Sequence, residues 1–431
     1  MKTIIMAGGR GTRISELFPN IPKPLIPIEG IPVLEREICS LASQGFTDIV
    51  LTVSYLHEKI EERFGDGSRW GVHIEYFVED SPLGNAGALF QLNLTEDFLL
   101  LNADAVFDVD FNRMVDFHKS HGGLVTLFTH PNSHPYDSGL ILADEQGRVE
   151  KWLAKEDQRP RYYKNRVNAG LHVISPKVLE AVDGSRVGQK DENGKIIKID
   201  LDRQLLKPLA GTGKMYCYDS PEYVKDMGTP ERFYAVVEDY KKGIVQAKNL
   251  KNKQKAIFLD RDGTINKYVG FLRNIDDFEL IDGVAQAIKK INASGYLAIV
   301  VTNQPVIARG EVTVPQLQEI HNKMETLLGL EGAYVDAIYY CPHHPRKGYK
   351  GEIPELKIDC DCRKPKPGML LKAARDFNID LGQSYMVGDG ENDVKAGIAA
   401  GCKSILINEA EEKWGQSDMV ASVQEFCEKY L

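Results

Sequence analysis

Two short apolar segments in distant parts of the chain each run directly into a polar loop that contains glycine. The first segment is 3–6, followed by the loop 7–13; the second is 255–259, followed in 260–264 by two acids and a glycine. A buried strand that ends in such a loop is typical of an open parallel α/β sheet, whose site lies at the carboxyl ends of its strands. The sequence therefore predicts two α/β domains joined end to end.

Size and composition agree with two domains of ordinary soluble type. The 431 residues exceed what one hydrophobic core usually serves, and 43% apolar with 27% charged residues is a globular balance. No apolar run approaches the roughly 18 residues that a membrane helix requires, and the amino-terminal run is too short for a signal peptide. We expect a cytoplasmic location without membrane contact. The net charge of −9 argues against general nucleic-acid binding, although small anionic substrates need only a few local cations.

Strand-like apolar runs alternate with helix-like patterns along the chain. The runs 48–53 and 98–101 predict buried strands, and apolar residues at helical spacing predict helices over 32–43 and 314–328. Asp282 is predicted to be the N-cap of a further helix. This alternation predicts mostly parallel sheets sandwiched by helices.

The polar, lysine-rich stretch 241–254 is the predicted boundary, either as a helix tail or as a linker. It separates a first domain, 1–240, from a second domain, 255–431.

The glycines of the first loop allow backbone N–H groups to approach a polyphosphate without interference from Cβ atoms. A bare glycine loop is also compatible with a simple tight turn. Here Arg10 and Arg13 add charge, and Lys23 follows in a Pro-Lys-Pro string. Together these strings resemble the signature of the sugar-phosphate nucleotidyltransferases, and the resemblance covers nearly all of 1–235. It implies a Rossmann-like domain that binds a nucleotide through Ala7, Gly8, Gly9, Gly11, Thr12, Arg13 and Lys23.

Five further motifs match the same family in the expected order. The resemblance implies that Gly84 and Asn85 contact the nucleotide base, and that Asp104 and Asp226 bind Mg²⁺, with Asp104 also in the nucleotide site. The implied sugar-phosphate contacts are Glu150, Lys151, Asn168 and Gly170. Taken singly, Asp104 could cap a helix and Lys151 could be a solvated lysine. Ala103 departs from the glycine that usually precedes the metal aspartate.

In the second domain, the string Asp260-x-Asp262-Gly-Thr after a buried strand resembles the haloacid dehalogenase-like phosphatases. A lone Asp-x-Asp is more often a surface turn or an N-cap, but further strand-end motifs follow in the family's order. The resemblance implies that Asp260 attacks phosphorus while Asp262 acts as acid and base. The implied Mg²⁺ ligands are Asp260, Asp262 and Asp389, with Asp393 as a second candidate. Thr302, Asn303 and Gln304 match the phosphate-holding segment.

Cysteine and histidine residues predict a structural zinc site. Cys341 and His343 are followed by Cys360 and Cys362, and three thiolates with one imidazole suit tetrahedral Zn²⁺. His344 is the competing imidazole. Buried cysteines without metal are the alternative, which the polar, proline-rich surroundings disfavour. Zinc would hold the adjacent Arg363 and Lys364 toward the substrate, although Lys366 is an alternative phosphate-stabilising lysine.

The zinc loop resembles that of the D,D-heptose 1,7-bisphosphate 7-phosphatases, with the histidinol phosphatases as close kin. By position, Asn266, Tyr268 and Phe271 would contact the sugar. Pro305-Val306 departs from the small pair expected after Gln304, and Gly390 departs from the lysine-containing version after Asp389.

The two resemblances imply successive steps on one sugar: removal of the 7-phosphate, then coupling of heptose 1-phosphate to GTP, which gives GDP-D-glycero-α-D-manno-heptose. Two alternatives remain: another sugar or base (mannose 1-phosphate, or an ADP-sugar), or a non-catalytic nucleotide-binding module that regulates the phosphatase. The expected partners are small molecules, and a homo-oligomer is compatible with the sequence.

Overall fold

The computed structural model describes residues 1–9, 14, 16–103, 105–407 and 413–431. Its contacts define two compact units, each discontinuous in sequence. The first contains Met1–His130, Ile141–Leu153 and Asn168–Asn249, and the second contains Pro131–Leu140, Ala154–Val167 and Leu250–Leu431. Of the predicted site residues, four lie outside the described residues: Gly11, Thr12, Arg13 and Asp104.

The first unit consists of a large sheet, two small two-stranded sheets and covering helices. Its strands are β1 (Thr3–Met6), β2 (Pro27–Ile28), β3 (Ile31–Pro32), β4 (Asp48–Val53), β5 (His73–Val78), β6 (Phe98–Asn102), β7 (Ala105–Asp108), β8 (Val125–His130), β9 (Leu140–Ala143), β10 (Val149–Leu153), β11 (Val167–Ile174), β12 (Met215–Asp219) and β13 (Tyr223–Asp226). Its helices are α1 (Val33–Ser43), α2 (His57–Phe64), α3 (Phe111–His121), α4 (Pro230–Lys241) and α5 (Ile244–Ala247).

Nine strands of the described chain form the large sheet, whose main path is β10-β9-β11-β6-β1-β4-β5. Strands β6, β1, β4 and β5 are parallel, whereas β11 runs antiparallel beside β6. Neighbouring residues of β1 point to opposite faces, so Ile5 packs with Leu34 and Ile38 of α1, and Ile4 packs with Leu83. Both faces of the sheet are therefore covered, by α1, α2 and α3 on the Ile5 face and by short helical turns and loops on the Ile4 face.

The second unit has one sheet built from strands β14 (Ala256–Leu259), β15 (Leu297–Asn303), β16 (Ala337–Cys341), β17 (Tyr385–Gly388), β18 (Lys403–Ile407) and β19 (Asp418–Val420). Its helices are α6 (Val284–Ala293), α7 (Pro305–Ala308), α8 (Val314–Leu330), α9 (Gly368–Asp376), α10 (Glu391–Ala400) and α11 (Val423–Tyr430). All strand pairs are parallel, in the order β16-β15-β14-β17-β18-β19. The order reverses at β14, and ligands of such sheets bind outside the carboxyl ends of the strands at this switch point.

The chain segments 131–140 and 154–167 belong to the second unit by their contacts. The Tyr163 N–H donates to the Thr326 hydroxyl of α8 at 2.9 Å. Arg166 lies 3.7 Å from the Glu325 carboxylate and donates to the Asp336 carbonyl at 2.9 Å. These polar side chains are all buried, so the two segments are integral to this unit.

The predicted start of α1 is confirmed, whereas the predicted start of α6 is wrong. Helix α1 begins at Val33, within one residue of the prediction. The prediction of Asp282 as N-cap is wrong, because α6 begins at Val284 and its N-cap is Gly283, whose φ of 78° is left-handed. Asp282 stands one position too early for its carboxylate to cap the helix.

The stretch 241–254 is ordered around α5. Asn249 is buried and donates from Nδ2 to the Asp108 carboxylate at 2.7 Å, and the contact-based boundary falls between Asn249 and Leu250. Among the described residues, no helix combines the length and apolar character needed to cross a membrane.

Candidate active sites

Three carboxylates meet at the carboxyl ends of the central strands of the second unit. Asp260 follows β14, Asp389 follows β17 and Asp393 lies on α10; each offers an oxygen within 4.8 Å of the others. The approach of Asp389 requires Gly263, because a Cβ there would lie 2.0 Å from an Asp389 oxygen and φ is 84°. Carboxylate oxygens are the ligands that Mg²⁺ prefers, so this group fits a magnesium ion.

A buried lysine neutralises this carboxylate group. Lys364 Nζ lies 2.8 Å from Asp260 and 2.5 Å from Asp393, and its side chain is 2% exposed. Burial alone would lower the pKa of Lys364, but the two carboxylates outweigh it and the pKa is raised. Lys366, the alternative lysine, instead donates to Asp359 at 2.9 Å on the surface.

Burial raises the pKa values of the candidate metal ligands. The pKa of Asp260 is raised to about 7 by burial and then by the Asp393 charge, and that of Asp389 to about 6 by burial and then by the Asp260 charge. Strongly perturbed carboxyl groups in a cleft are typical of functional sites.

The Asp262 carboxylate lies outside this group of three, and its predicted place among the metal ligands stays a prediction. Its oxygens accept hydrogen bonds from Asn266 Nδ2 at 3.1 Å, Gln304 Nε2 at 2.9 Å and the guanidinium of Arg261. Both Asp262 oxygens therefore already have hydrogen-bond donors, which hold the carboxylate away from the other three acids. Asp393, the second candidate in the sequence, takes the place in the group.

The segment predicted to hold phosphate also organises the site internally. Asn303 exchanges two hydrogen bonds with the Lys364 backbone, 3.0 Å to its carbonyl and 3.0 Å from its N–H. Gln304 donates to the buried Thr302 hydroxyl at 2.9 Å. The Asn303 amide therefore fixes the loop that carries Lys364, a role that the motif alone did not indicate.

Asp260, Asp389, Asp393 and Lys364, with Thr302, Asn303 and Gln304, line a cavity of about 240 Å³. The same cavity is also lined by Tyr268, Phe271, Pro305, Val306 and Arg363. Tyr268 is 70% exposed and Phe271 42% exposed, as ligand contacts require. Asn266 is fully buried and its amide donates to Asp262, so its predicted contact with the sugar stays a prediction.

The four predicted zinc ligands converge. The Sγ atoms of Cys341, Cys360 and Cys362 lie 3.2–3.5 Å apart, and His343 Nδ1 lies 3.4 Å from Cys362 Sγ. Ligands of a tetrahedral zinc ion with 2.3 Å bonds would be about 3.8 Å apart, so the donor set fits Zn²⁺. His344 instead accepts from the Arg346 N–H at 3.2 Å.

The cluster is linked to the cavity through Arg363. This arginine donates to the His343 carbonyl at 3.1 Å and also lines the cavity. Burial lowers its pKa, which the neighbouring cysteines partly oppose.

In the first unit, the predicted nucleotide loop leaves the end of the central strand β1. Ala7 donates its N–H to the Thr52 carbonyl at 2.8 Å, which continues the pairing with β4, and Gly8 and Gly9 follow. The remainder of the predicted loop lies outside the described residues.

A carboxylate and two cations meet at the end of β13. Lys23 Nζ lies 3.6 Å from Asp226, and Arg232 on α4 forms an ion pair with the same carboxylate. The Gly228 N–H donates to Asp226 at 2.6 Å. Arg232 was missed in the sequence; its position six residues after Asp226, in the first turn of α4, is the signal that could have found it.

The predicted base-contacting loop is held by another segment of the same unit. Asn85 Oδ1 accepts from the Leu201 N–H at 2.7 Å, and the Ala86 N–H donates to the Ile199 carbonyl at 3.1 Å. The Asn85 side chain therefore has a structural role. Gly84 lies beside Ile199 in the same loop.

The predicted sugar-phosphate residues lie on β10 and β11. Glu150 and Lys151 are exposed, and Asn168 accepts from the Gly170 N–H at 3.2 Å. A Cβ at Gly170, where φ is 76°, would lie 2.3 Å from Asn102 Nδ2, so this close approach requires glycine.

Family models match both parts of the chain. The model described as nucleotidyl transferase matches residues 2–243, and the model described as haloacid dehalogenase-like hydrolase matches residues 172–401, so the two overlap over 172–243. Each match spans more than half of the chain. The chain belongs to both families.

Curated relatives resemble the hydrolase part. A D-glycero-beta-D-manno-heptose-1,7-bisphosphate 7-phosphatase from Haemophilus influenzae is 45% identical over 168 residues, which are 39% of this chain and 89% of the relative. The enzyme of the same name from Escherichia coli K12 is 48% identical over 145 residues, 34% of this chain and 74% of the relative.

Among solved structures, the crystal structure of HddC from Yersinia pseudotuberculosis is similar with 23% identity and a TM-score of 0.46, covering 56% of this chain and 99% of that one. The two families account for both halves of the bifunctional fusion that the motifs predicted.

Proposed function

We propose that the second unit removes the 7-phosphate of D,D-heptose 1,7-bisphosphate, and that the first unit transfers GMP from GTP to the resulting heptose 1-phosphate with release of pyrophosphate. The observation that carries the phosphatase half is the buried group of Asp260, Lys364 and Asp393 at the switch point. The relatives' name supports the substrate. That name specifies the beta anomer, so both anomers belong in the test.

Asp260 is the proposed nucleophile. Its oxygen forms a bond to phosphorus as the bond to the sugar oxygen breaks, and the leaving oxygen takes a proton from Asp262. The Asp262 carboxylate then takes a proton from a water that attacks this phosphorus, and the bond between phosphorus and Asp260 breaks to release phosphate. Lys364 lies 2.8 Å from Asp260 and compensates negative charge there. Asp260, Asp389 and Asp393 would hold Mg²⁺, which supplies charge neutralisation between a carboxylate and a phosphate.

Cys341, His343, Cys360 and Cys362 are the proposed ligands of a structural Zn²⁺. The ion would supply folding energy to the loop that ends in Arg363. Arg363 donates to the carbonyl of a ligand residue, and it also lines the cavity. We therefore propose that Arg363 contacts the sugar phosphate.

For the first unit, the proposal relies on charge. The nucleoside triphosphate and the sugar phosphate are both anions, and Lys23 with Arg232 supplies positive charge beside Asp226. Asp226 would hold Mg²⁺, which neutralises the reacting phosphates, together with Asp104 from the sequence motif. The sugar phosphate is already a nucleophile, so positioning is the main task of the protein.

Two alternatives to guanylyl transfer to heptose 1-phosphate are tested in the same experiments. A different base or sugar would give an ADP-sugar or GDP-mannose, and a regulatory first unit would bind nucleotide without transfer. Retention of Lys23 and Asp226 argues for transfer. Asp104→Asn should abolish transfer if this aspartate binds the metal; undiminished transfer would contradict that assignment.

The decisive experiment incubates the full chain with Mg²⁺, GTP and the α-anomer of D,D-heptose 1,7-bisphosphate, followed by phosphorus NMR. Parallel samples contain ATP, mannose 1-phosphate or the β-anomer. Phosphate, pyrophosphate and a GDP-sugar appearing together with GTP and the α-anomer are the expected result. Phosphate without pyrophosphate under every nucleotide and sugar would favour the regulatory alternative.

A further inference from the structure

The fully buried guanidinium of Arg261 binds the carboxylate of the next residue, Asp262. The side chain of Arg261 is 0% exposed, and its Nη2 donates to Asp262 Oδ1 at 3.0 Å and Oδ2 at 2.9 Å. Its Nε adds a third hydrogen bond to Oδ1 at 3.2 Å. Adjacent residues thus form an ion pair in which one nitrogen contacts both carboxylate oxygens.

The opposite side of the guanidinium is fixed by His321 on α8. Arg261 Nη1 lies 3.2 Å from His321 Nε2, and the imidazole is 2% exposed. A guanidinium has only donors, so Nε2 is the acceptor and the ring is neutral, with its proton on Nδ1. Burial, followed by the charge of Arg261, lowers the pKa of His321 well below its usual range, which agrees with a neutral ring.

Two further donors complete the environment of Asp262. Asn266 Nδ2 donates to Oδ1 at 3.1 Å, and Gln304 Nε2 donates to Oδ2 at 2.9 Å. Hydrogen bonds from three residues restrict rotation of the carboxyl group. Among them, only Arg261 carries a charge.

We propose that Arg261, fixed by His321, is a positioning residue that orients Asp262 and stabilises the carboxylate that Asp262 becomes when it donates its proton. The inference rests on the proposed phosphatase function. In that step the Asp260 oxygen–phosphorus bond forms, the phosphorus–sugar oxygen bond breaks, and the Asp262 proton passes to the leaving oxygen. Negative charge then develops on Asp262 beside a cation that is already in place, which lowers the barrier.

This role predicts a dependence on the leaving group. A sugar alkoxide needs the proton, whereas p-nitrophenolate leaves without one near neutral pH. Loss of the Arg261 contact should therefore slow release of phosphate from the heptose bisphosphate much more than the initial burst of p-nitrophenolate from p-nitrophenyl phosphate. A purely structural role would lower both together.

The test compares Arg261→Lys, His321→Leu and His321→Gln in the full chain with Mg²⁺. We expect Arg261→Lys to lower kcat for the heptose bisphosphate on the order of 10²-fold with little change in KM, and His321→Leu about tenfold. His321→Gln, whose carbonyl can accept from Nη1, should retain more activity than His321→Leu. Gln318→Leu, an exposed change on the same helix, controls for effects on α8.

Equal losses on both substrates, or no loss in any variant, would overturn the role of Arg261. If Arg261→Lys does not fold, the two His321 variants decide by the same ratio. A wild-type chain that releases phosphate from neither compound overturns the phosphatase proposal itself, which is a different result from normal wild-type turnover with equal losses in the variants.

Discussion

The two units place their candidate metal-binding acids in different surroundings. In the second unit Asp260 and Asp393 share the buried Lys364, at 2.8 and 2.5 Å. In the first unit the Asp226 side chain is 38% exposed, with Lys23 at 3.6 Å. Solvent screens the charge of Asp226 in the first unit, whereas the buried charges of Asp260, Asp393 and Lys364 in the second unit depend on each other. We therefore expect substitutions of Asp260, Asp393 or Lys364 to change phosphatase activity and stability together. Around Asp226 the Lys23 side chain is 9% exposed but the carboxylate is 38% exposed, so we expect activity to change more than stability there.

The largest effect should come from Asp260→Asn. This change removes the nucleophile, so release of phosphate from the heptose bisphosphate should fall on the order of 10³-fold or more. Nucleotidyl transfer to heptose 1-phosphate should remain, because Asp260 lies in the other unit. Separate assays of phosphate and pyrophosphate measure both. Asp226→Asn is the matched control with the opposite expected pattern, and phosphate release by Asp260→Asn would exclude Asp260 as the nucleophile.

Lys364→Met should lower phosphatase activity and stability together. It leaves the Asp260 and Asp393 carboxylates buried without their cation, a change that costs about 3 kcal/mol in comparable pairs. Lys23→Met, at the half-exposed Asp226, should lower transfer with a smaller change in unfolding free energy. Chemical denaturation with parallel activity assays measures this difference. Equal destabilisation by the two substitutions would contradict the comparison.

A third prediction concerns the segments 131–140 and 154–167 in the second unit. Glu325→Ala removes the acceptor of the Asn165 N–H and the partner of Arg166, both buried, so the unit should lose about 3 kcal/mol. Glu319→Ala, exposed on the same helix, should change stability by less than about 0.5 kcal/mol. Thermal unfolding measures the change in stability, and hydrogen exchange of peptides from α8 locates that change in the second unit. Similar exchange in both variants would mean that this contact contributes little.

Much of the fold followed from local patterns. Apolar runs of strand length identified β14 and β15, and strand-end acids indicated the site at their carboxyl ends, because parallel strands end at one edge. The pattern of cysteine and histidine residues grouped Cys341 with Cys360, whose Sγ atoms lie 3.5 Å apart. These features depend on residues close in sequence or on family motifs, and such signals are visible in one chain.

Other features depend on contacts between distant residues. The pairing of Arg166 with Glu325 joins positions far apart, and neither residue belongs to a periodic pattern. The hydrogen bond between Asn303 and the Lys364 backbone, and the hydrogen bond from Gln304 to Asp262, also form only in the folded chain. At Gly283, backbone conformation rather than a capping side chain begins the helix, so the propensity of Asp282 misled the prediction.

The smallest effect near neutral pH is expected at His172, which is buried in the first unit beside Asn168. Burial lowers its pKa to about 3, so the folded state keeps the ring neutral while the unfolded chain binds a proton below about 6.5. Its contribution to stability is full above pH 6.5 and is lost as pH falls toward 3, by about 1.4 kcal/mol per pH unit. The acids of the second unit, with raised pKa values, change in the opposite direction.

His172→Gln should therefore unfold with a shallower dependence on pH than the wild type between about pH 6 and 4, with little difference in that dependence above pH 7. The buried amide can keep the hydrogen bond to Asn168 Oδ1, which His172 Nε2 forms at 3.1 Å. Hydrogen exchange of peptides from β11 reports on the first unit alone, which separates this residue from titrating groups elsewhere. Parallel pH profiles for the two proteins would mean that His172 is not the group responsible, and that the contrast between the units in acid has another source.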